Sequence, residues 1–217
     1  MSRLPRFASI VLDVDSTLSA VEGIDWLAAQ RGPEIAAWST GLTERAMKGE
    51  IPIEAVYGER MRIVKPTLSE IQQLGNVYVE RVTAGAAETI AALHVHHVKV
   101  VMISGGLREA ILPLARSLGV SGANLYAVSV FFDEQGRYAG FDDASLLTRQ
   151  NGKRTIVGQM SLEGPILAVG DGITDSEIKP VVQGFAAFTG FTKREVVIEQ
   201  ADYVIENFDQ LRDLILE

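Results

Sequence analysis

An α/β fold, with a parallel sheet covered on both faces by helices, is predicted by three features of the sequence. Short apolar runs alternate with amphipathic stretches over residues 83–217, the rhythm of strand–helix–strand units. Two of those runs, and the apolar run at residues 10–12, end in polar signals, namely Ser104, Asp171 with Asp175, and Asp13 with Asp15, and in such sheets sites lie at the carboxyl ends of strands. Residues 20–82 have helical periodicity and no strand candidate, so they read as an all-helical insertion after the first strand. The expected division is an α/β core of residues 1–18 and 84–217 and a small helical domain of residues 19–83.

Residues 10–12 are apolar and rich in β-branched side chains, which suits a buried strand. Residues 22–31 place Ile24, Leu27 and Ala28 at helical spacing before Gly32-Pro33, taken as a stop. A short helix over 43–48 ends at Gly49, and residues 52–64 carry Ile53, Val56, Tyr57 and Met61 on one face before Pro66. Thr67, three residues ahead of Glu70, predicts a capping box opening a helix to about residue 82. The core resumes with a helix over 85–96, a strand over 98–103, a tight turn at Ser104-Gly105-Gly106 and a helix over 107–118. Residues 125–132 and 137–141 flank Asp133-Glu134-Gln135-Gly136 as a hairpin. A helix over 153–160, a strand over 165–169 and a helix over 174–182 follow. Strands over 184–188 and 203–205 enclose a helix over 194–200, and a helix over 208–216 closes the chain.

The 217 residues suit one domain with an insertion, or a large and a small domain. A hydrophobic fraction of 47% supports a core, and 22% charged residues argue against disorder. The net charge of −8 argues against a general nucleic-acid binder, while a local cation still admits a small anionic substrate. With no cysteine, thiol chemistry and disulfides are excluded. The first residues lack a secretory pattern, and no run approaches the roughly 18 apolar residues of a membrane span. A cytoplasmic location is the expectation. His94, His96 and His97 have no accompanying cluster of metal ligands, and Trp26 and Trp38 read as packing residues.

The chemistry is concentrated in Asp13-Val14-Asp15-Ser16-Thr17. Two carboxylates at a strand end repel each other and are costly to bury; a divalent cation on one and a retained proton on the other would offset that cost. Such a pair can divide the roles of nucleophile and proton carrier. Alone, the segment also suits a surface turn or a helix cap. Ser104-Gly105-Gly106 before a helix serves equally as an N-cap or a phosphate cradle. Gly170-Asp171-Gly172-Ile173-Thr174-Asp175 is either a turn with a helix cap or a set of hard oxygen ligands for Mg²⁺. Lys153, heading a helix, is by itself an ordinary solvated lysine.

In this order, the four segments resemble the signatures of the haloacid dehalogenase superfamily of phosphohydrolases. The helical block falls where one class of cap is inserted in that superfamily. Glu22-Gly23-Ile24-Asp25, Arg45-Ala46-Met47, Glu59-Arg60, Ile103-Ser104-Gly105-Gly106 and Tyr138-Ala139-Gly140-Phe141-Asp142 are similar, more narrowly, to the phosphoserine phosphatase family. The resemblance implies a Rossmannoid core and makes Asp13 the nucleophile and Asp15 the general acid and base. It assigns Mg²⁺ to Asp13, Asp171 and the main-chain carbonyl of Asp15, with Asp175 in support. Ser104 and Lys153 would hold the phosphate, with Gly105, Gly106 and Thr174 in the same substrate-binding set. Glu22 would receive a substrate ammonium and Arg60 a carboxylate.

The implied partner is a small phosphorylated amino acid, with no nucleic acid and no membrane, and a homodimer is left open. Another small phosphomonoester, transfer to an acceptor alcohol, and a non-catalytic phosphate-binding module are the alternatives. Ile53 stands where the family commonly has phenylalanine, and the segment from Lys153 to the last motif is shorter than in several relatives.

Overall fold

The computed structural model describes residues 5–217. Its centre is strand β1 (Ser9–Leu12), buried along its whole length. β1 lies between β2 (Lys99–Leu107) and β6 (Ile166–Gly170), parallel to both. β3 (Leu125–Val128) extends the sheet beyond β2, while β7 (Gly184–Phe188) and β8 (Tyr203–Ile205) extend it beyond β6. The six-stranded order is therefore β3-β2-β1-β6-β7-β8, with every pair parallel. The chain steps from β1 to opposite sides through β2 and β6, so β1 borders the switch point where α/β sheets open a crevice. Fully buried strands explain the near-continuous apolar runs.

Between β1 and the next core helix lie only helices and turns: α1 (Gly23–Ala29), α2 (Pro33–Met47), a 3-10 turn (Ile53–Ala55), α3 (Tyr57–Val64) and α4 (Leu68–Glu80). The chain leaves and re-enters the core at one place. There Ala20 N–H donates to Arg81 O at 3.0 Å and Thr83 N–H to Leu18 O at 2.9 Å. α4 packs on α6 (Arg108–Ser117) at Gly75, where a Cβ would lie 3.1 Å from Pro113 Cγ. On the core, α5 (Ala86–Val95) and α10 (Phe208–Leu216) are tied by Thr89 Oγ1 donating to Phe208 O at 2.9 Å.

Four expectations need correction. Gly32-Pro33 follows the end of α1, as expected, but it also opens α2, because the amide that proline lacks is one a first helical turn leaves unused and its φ is already helical. α2 accordingly runs through the residues expected as loop before Thr43. The Ser104-Gly105-Gly106 segment continues β2, with a register shift between Ile103 and Leu107, so the expected tight turn is an irregular strand end. The single strand expected over 125–132 divides at Ser129 into β3 and β4 (Val130–Phe132), and only β4 pairs antiparallel with β5 (Tyr138–Phe141). The helix expected over 174–182 shrinks to α8 (Ile173–Ser176) and a 3-10 turn at Lys179–Val181, because Pro180 cannot donate to a continuing helix. α7 (Gly152–Gln159) and the short α9 (Glu195–Ile198) complete the elements.

The capping box of α4 forms: Glu70 N–H donates to Thr67 Oγ1 at 3.2 Å and Thr67 N–H to Glu70 Oε2 at 2.8 Å. Glu70 also receives both terminal nitrogens of Arg31, at 2.6 and 2.7 Å. The hydrogen bonds from Arg31 hold its carboxyl down at about 2. Thr67→Ala is expected to cost about 1 kcal/mol of stability, read as a lower urea midpoint at unchanged slope; an unmoved midpoint would remove the cap from the account.

Candidate active site

β1 ends at Leu12, and Asp13 N–H closes the ladder by donating to Val169 O of β6 at 2.9 Å. The chain then turns, with Ser16 at φ 50° and Thr17 N–H donating to Val14 O at 3.3 Å. Asp13 and Asp15 line one cleft, so the loop, and not a continued strand, supplies their common orientation. The cleft encloses about 680 Å³, its open mouth included, and lies between the carboxyl ends of β1, β2 and β6 and the helices α1–α3. Lys153, Asp171, Ser104, Gly105, Gly106, Thr174, Glu22 and Arg60 also line it. Asp175 is buried just behind.

Two groups of side chains divide the cleft floor. In the first, one carboxylate oxygen each from Asp13, Asp171 and Asp175 lies within 4.8 Å of the others. Lys153 Nζ donates to Asp13 Oδ1 at 2.6 Å and to Asp175 Oδ1 at 2.7 Å. The start of α7 is held close to the preceding turn, since a Cβ on Gly152 would lie 1.7 Å from Leu146 O; that approach presents Lys153 to the cluster. Asp175 Oδ2 accepts from Gly172 N–H at 3.0 Å, and Thr17 Oγ1 donates to Asp171 Oδ1 at 3.3 Å.

The electrostatics follow from burial. Burial and the charge of Asp175 push Asp13 well above the usual carboxylate range, against the pull of Lys153. Burial pushes Asp171 up to about 7 although Arg194 opposes it. Burial disfavours the charged Lys153, yet Asp13 and Asp175 outweigh it and raise its pKa. Three close carboxylates facing one ammonium and one guanidinium fit a hard divalent cation, which prefers oxygen ligands and balances their charge. The Asp15 carboxylate is not part of this cluster.

It belongs to the second group. Ser104 Oγ donates to Asp15 Oδ2 at 2.9 Å and accepts from Gly106 N–H at 2.8 Å. Asp15 Oδ1 accepts from Gly23 N–H at 2.8 Å and from Tyr78 Oη at 2.6 Å. Above it, Ser16 Oγ donates to Glu22 Oε1 at 2.7 Å. Burial, then the charge of Asp15, pushes Glu22 well above its usual range.

Arg60 reaches the cleft from α3, framed by Asp25 of α1 and Ser39 of α2. Its Nη2 donates to Asp25 Oδ1 at 2.6 Å and its Nε to Ser39 Oγ at 3.1 Å. Asp25 Oδ1 also accepts from Ser39 Oγ at 2.5 Å and Thr43 Oγ1 at 3.0 Å.

Every side chain that the sequence singled out is therefore at one cleft or buried against it. Several others there were missed. Arg194 is buried, pairs with Asp171, and donates to Glu44 Oε1 at 3.2 Å; nothing local in the sequence marks it. Asp25, Ser39 and Tyr78 were missed because their partners lie on other elements, although Ile71, Leu74 and Tyr78 share a buried helical face.

No protein-family model matches the chain. Among curated proteins it is 33% identical to the chloroplastic phosphoserine phosphatase of Arabidopsis thaliana, over 94% of this chain and 70% of that protein. It is 32% identical to the phosphoserine phosphatase of Homo sapiens, over 94% of this chain and 91% of the human one. The chain belongs to the phosphoserine phosphatase family. A solved phosphoserine phosphohydrolase-like protein from Francisella tularensis superposes with a TM-score of 0.86 at 27% identity, covering 95% of this chain and 98% of that one. The α/β core expected from the sequence is thus that of the haloacid dehalogenase phosphatases. No helix among the described residues is long and apolar enough to cross a membrane.

Membership in the phosphoserine phosphatase family makes the charge balance of the cluster testable. Asp171 holds its proton up to about 7 when folded, against an ordinary 3.8. The folded state then binds more protons than the unfolded state in that window, so its stability contribution is present below the lower value and lost as pH rises through the upper. In chelator-treated protein, melting temperature should fall more steeply over that window than in Asp171→Asn. An added divalent metal ion that occupies the cluster should stabilise increasingly with pH, because its binding releases the proton. Parallel wild-type and Asp171→Asn profiles would refute the assignment.

Proposed function

We propose that this chain hydrolyses O-phosphoserine to serine and inorganic phosphate through a phosphoaspartyl intermediate on Asp13. The observation that carries this reading is the pairing of Lys153 with Asp13 at 2.6 Å beside Asp15 and Ser104 in one cleft, in a chain of this family. A phosphate monoester is anionic and repels a carboxylate nucleophile, so the reaction needs positive charge at Asp13. Lys153 supplies part of it, and has one N–H left for a phosphoryl oxygen after bonding Asp13 and Asp175.

Asp13, Asp171 and the Asp15 main-chain carbonyl would hold Mg²⁺, with Asp175 in support. That ion, when bound, neutralises charge on the nucleophile and the phosphoryl oxygens. Asp13 attacks phosphorus as the serine oxygen departs with a proton from Asp15. Asp15 then takes a proton from the water that attacks the phosphoaspartate, and phosphate leaves with Asp13 restored. Ser104 Oγ, already polarised by the Gly106 amide, turns from Asp15 to a phosphoryl oxygen; a positioned donor of this kind stabilises charge in the transition state.

Helices between residues 19 and 83 act as a cap that reads the amino-acid end. Glu22 is a partly buried carboxyl whose ionisation a substrate ammonium favours. Arg60 keeps Nη1 for a substrate carboxylate, because Nη2 and Nε are taken by Asp25 and Ser39. Leaving these groups unmatched on closure penalises substrates that lack either charge. Ile53 also lines the cleft and shapes its apolar wall. A cytoplasmic place in serine formation is consistent with such an activity.

The test is phosphate release from a panel of small esters with and without Mg²⁺. Phosphoserine should exceed phosphoethanolamine, which lacks a carboxylate for Arg60, and Arg60→Ala should erase the preference. Equal turnover of the two by wild-type protein would overturn the serine assignment but leave the chemistry. Asp13→Asn should abolish turnover, and Asp15→Asn should lower it by about 10²–10⁴-fold with the fold intact; full activity in Asp13→Asn would defeat the mechanism.

A further inference from the structure

Tyr78 sits on α4, completely buried, 63 residues from Asp15 along the chain, yet its hydroxyl donates to Asp15 Oδ1 at 2.6 Å. The Gly23 amide donates to the same oxygen at 2.8 Å, whereas Oδ2 faces Ser104 Oγ at 2.9 Å. The two oxygens of Asp15 are thereby made inequivalent. An oxygen that accepts two hydrogen bonds is the poorer place for a proton, because a proton there would point at two donors. We infer that Tyr78 is a positioning residue for proton transfer, pinning Asp15 Oδ1 so that Oδ2 is the oxygen that exchanges a proton with the leaving group.

The surroundings are built for that hydroxyl. A Cβ on Gly23 would lie 2.2 Å from Tyr78 Oη, so α1 omits a side chain at the point the phenol occupies. The Tyr78 carbonyl accepts from Ser19 Oγ at 3.3 Å, and the Arg81 carbonyl accepts from the same hydroxyl at 3.0 Å. The end of α4 is thus fastened to the loop that carries Asp15. The phenol belongs to the helical block and the acid to the core, so the contact orients the acid from the helical block.

The inference rests on the phosphatase reading, and the experiment separates the two. Its probe is a series of phosphate monoesters from aryl to alkyl, with leaving-group pKa from about 7, nearly unaided, to values that require protonation. For Tyr78→Phe, kcat/KM should fall by about 10-fold or more at the alkyl end and by less than about 3-fold at the aryl end, steepening the dependence on leaving-group pKa. KM for phosphoserine and the melting temperature should stay near wild type. Gly23→Ala, whose methyl displaces the hydroxyl while Tyr78 remains in the core, should steepen the same slope, and it decides the matter if Tyr78→Phe does not fold. A uniform loss across the series, or no loss, overturns the role of Tyr78. Wild-type protein that releases phosphate from no member overturns the phosphatase reading itself.

Discussion

The concentration of carboxylates at the end of β1 is the constraint on which the rest of the structure depends. Asp13, Asp171 and Asp175 bring three potential negative charges within 4.8 Å in a buried site. Such a site needs positive charge brought to it, and the chain itself supplies two cations. Lys153 arrives from α7 and Arg194 from the turn before α9. Removing either partner of a buried pair is typically costly, about 3–5 kcal/mol, because the remaining charge is stranded. Segments on either side of β6 along the chain, α7 and the turn before α9, thus deliver two positive groups to one place.

The sheet makes that delivery possible. β1 is flanked by β2 and β6, reached by crossings on opposite sides, so three strand ends converge and bring Ser104 to Asp15 across 89 residues of chain. The cleft floor splits by charge. A cation-rich half holds Asp13, which we propose as the nucleophile, and a hydrogen-bonded half holds Asp15, the proposed proton carrier. The division lets neighbouring aspartates take different roles, since their partners differ and not their chemistry.

Much of this was legible in the chain. Apolar runs with a polar residue at the end marked β1, β2 and β6, and Thr67 with Glu70 marked the start of α4, because these signals are local and each has a single physical cause. Asp13, Asp15, Ser104, Lys153, Asp171 and Asp175 were legible together through their order. The misreadings share a reason as well: Gly-Pro and Ser-Gly-Gly suit several local structures, and only neighbours decide among them. Pro33 opens α2 and Gly105 extends β2 because the surrounding elements give their backbone groups somewhere to go.

What the sequence determined by itself was the kind of fold and the set of reactive groups, since periodicity and residue chemistry are carried by short segments. Which oxygen of Asp15 meets which donor, why Arg60 is held with one nitrogen to spare, and that Arg194 stands against Asp171 were decided by tertiary structure. Apart from the Gly23 amide, 8 positions from Asp15, the contacts involved join residues 21 to 89 positions apart. Hydrogen bonds and buried charges act over a few ångströms of space, and folding alone brings those atoms within reach.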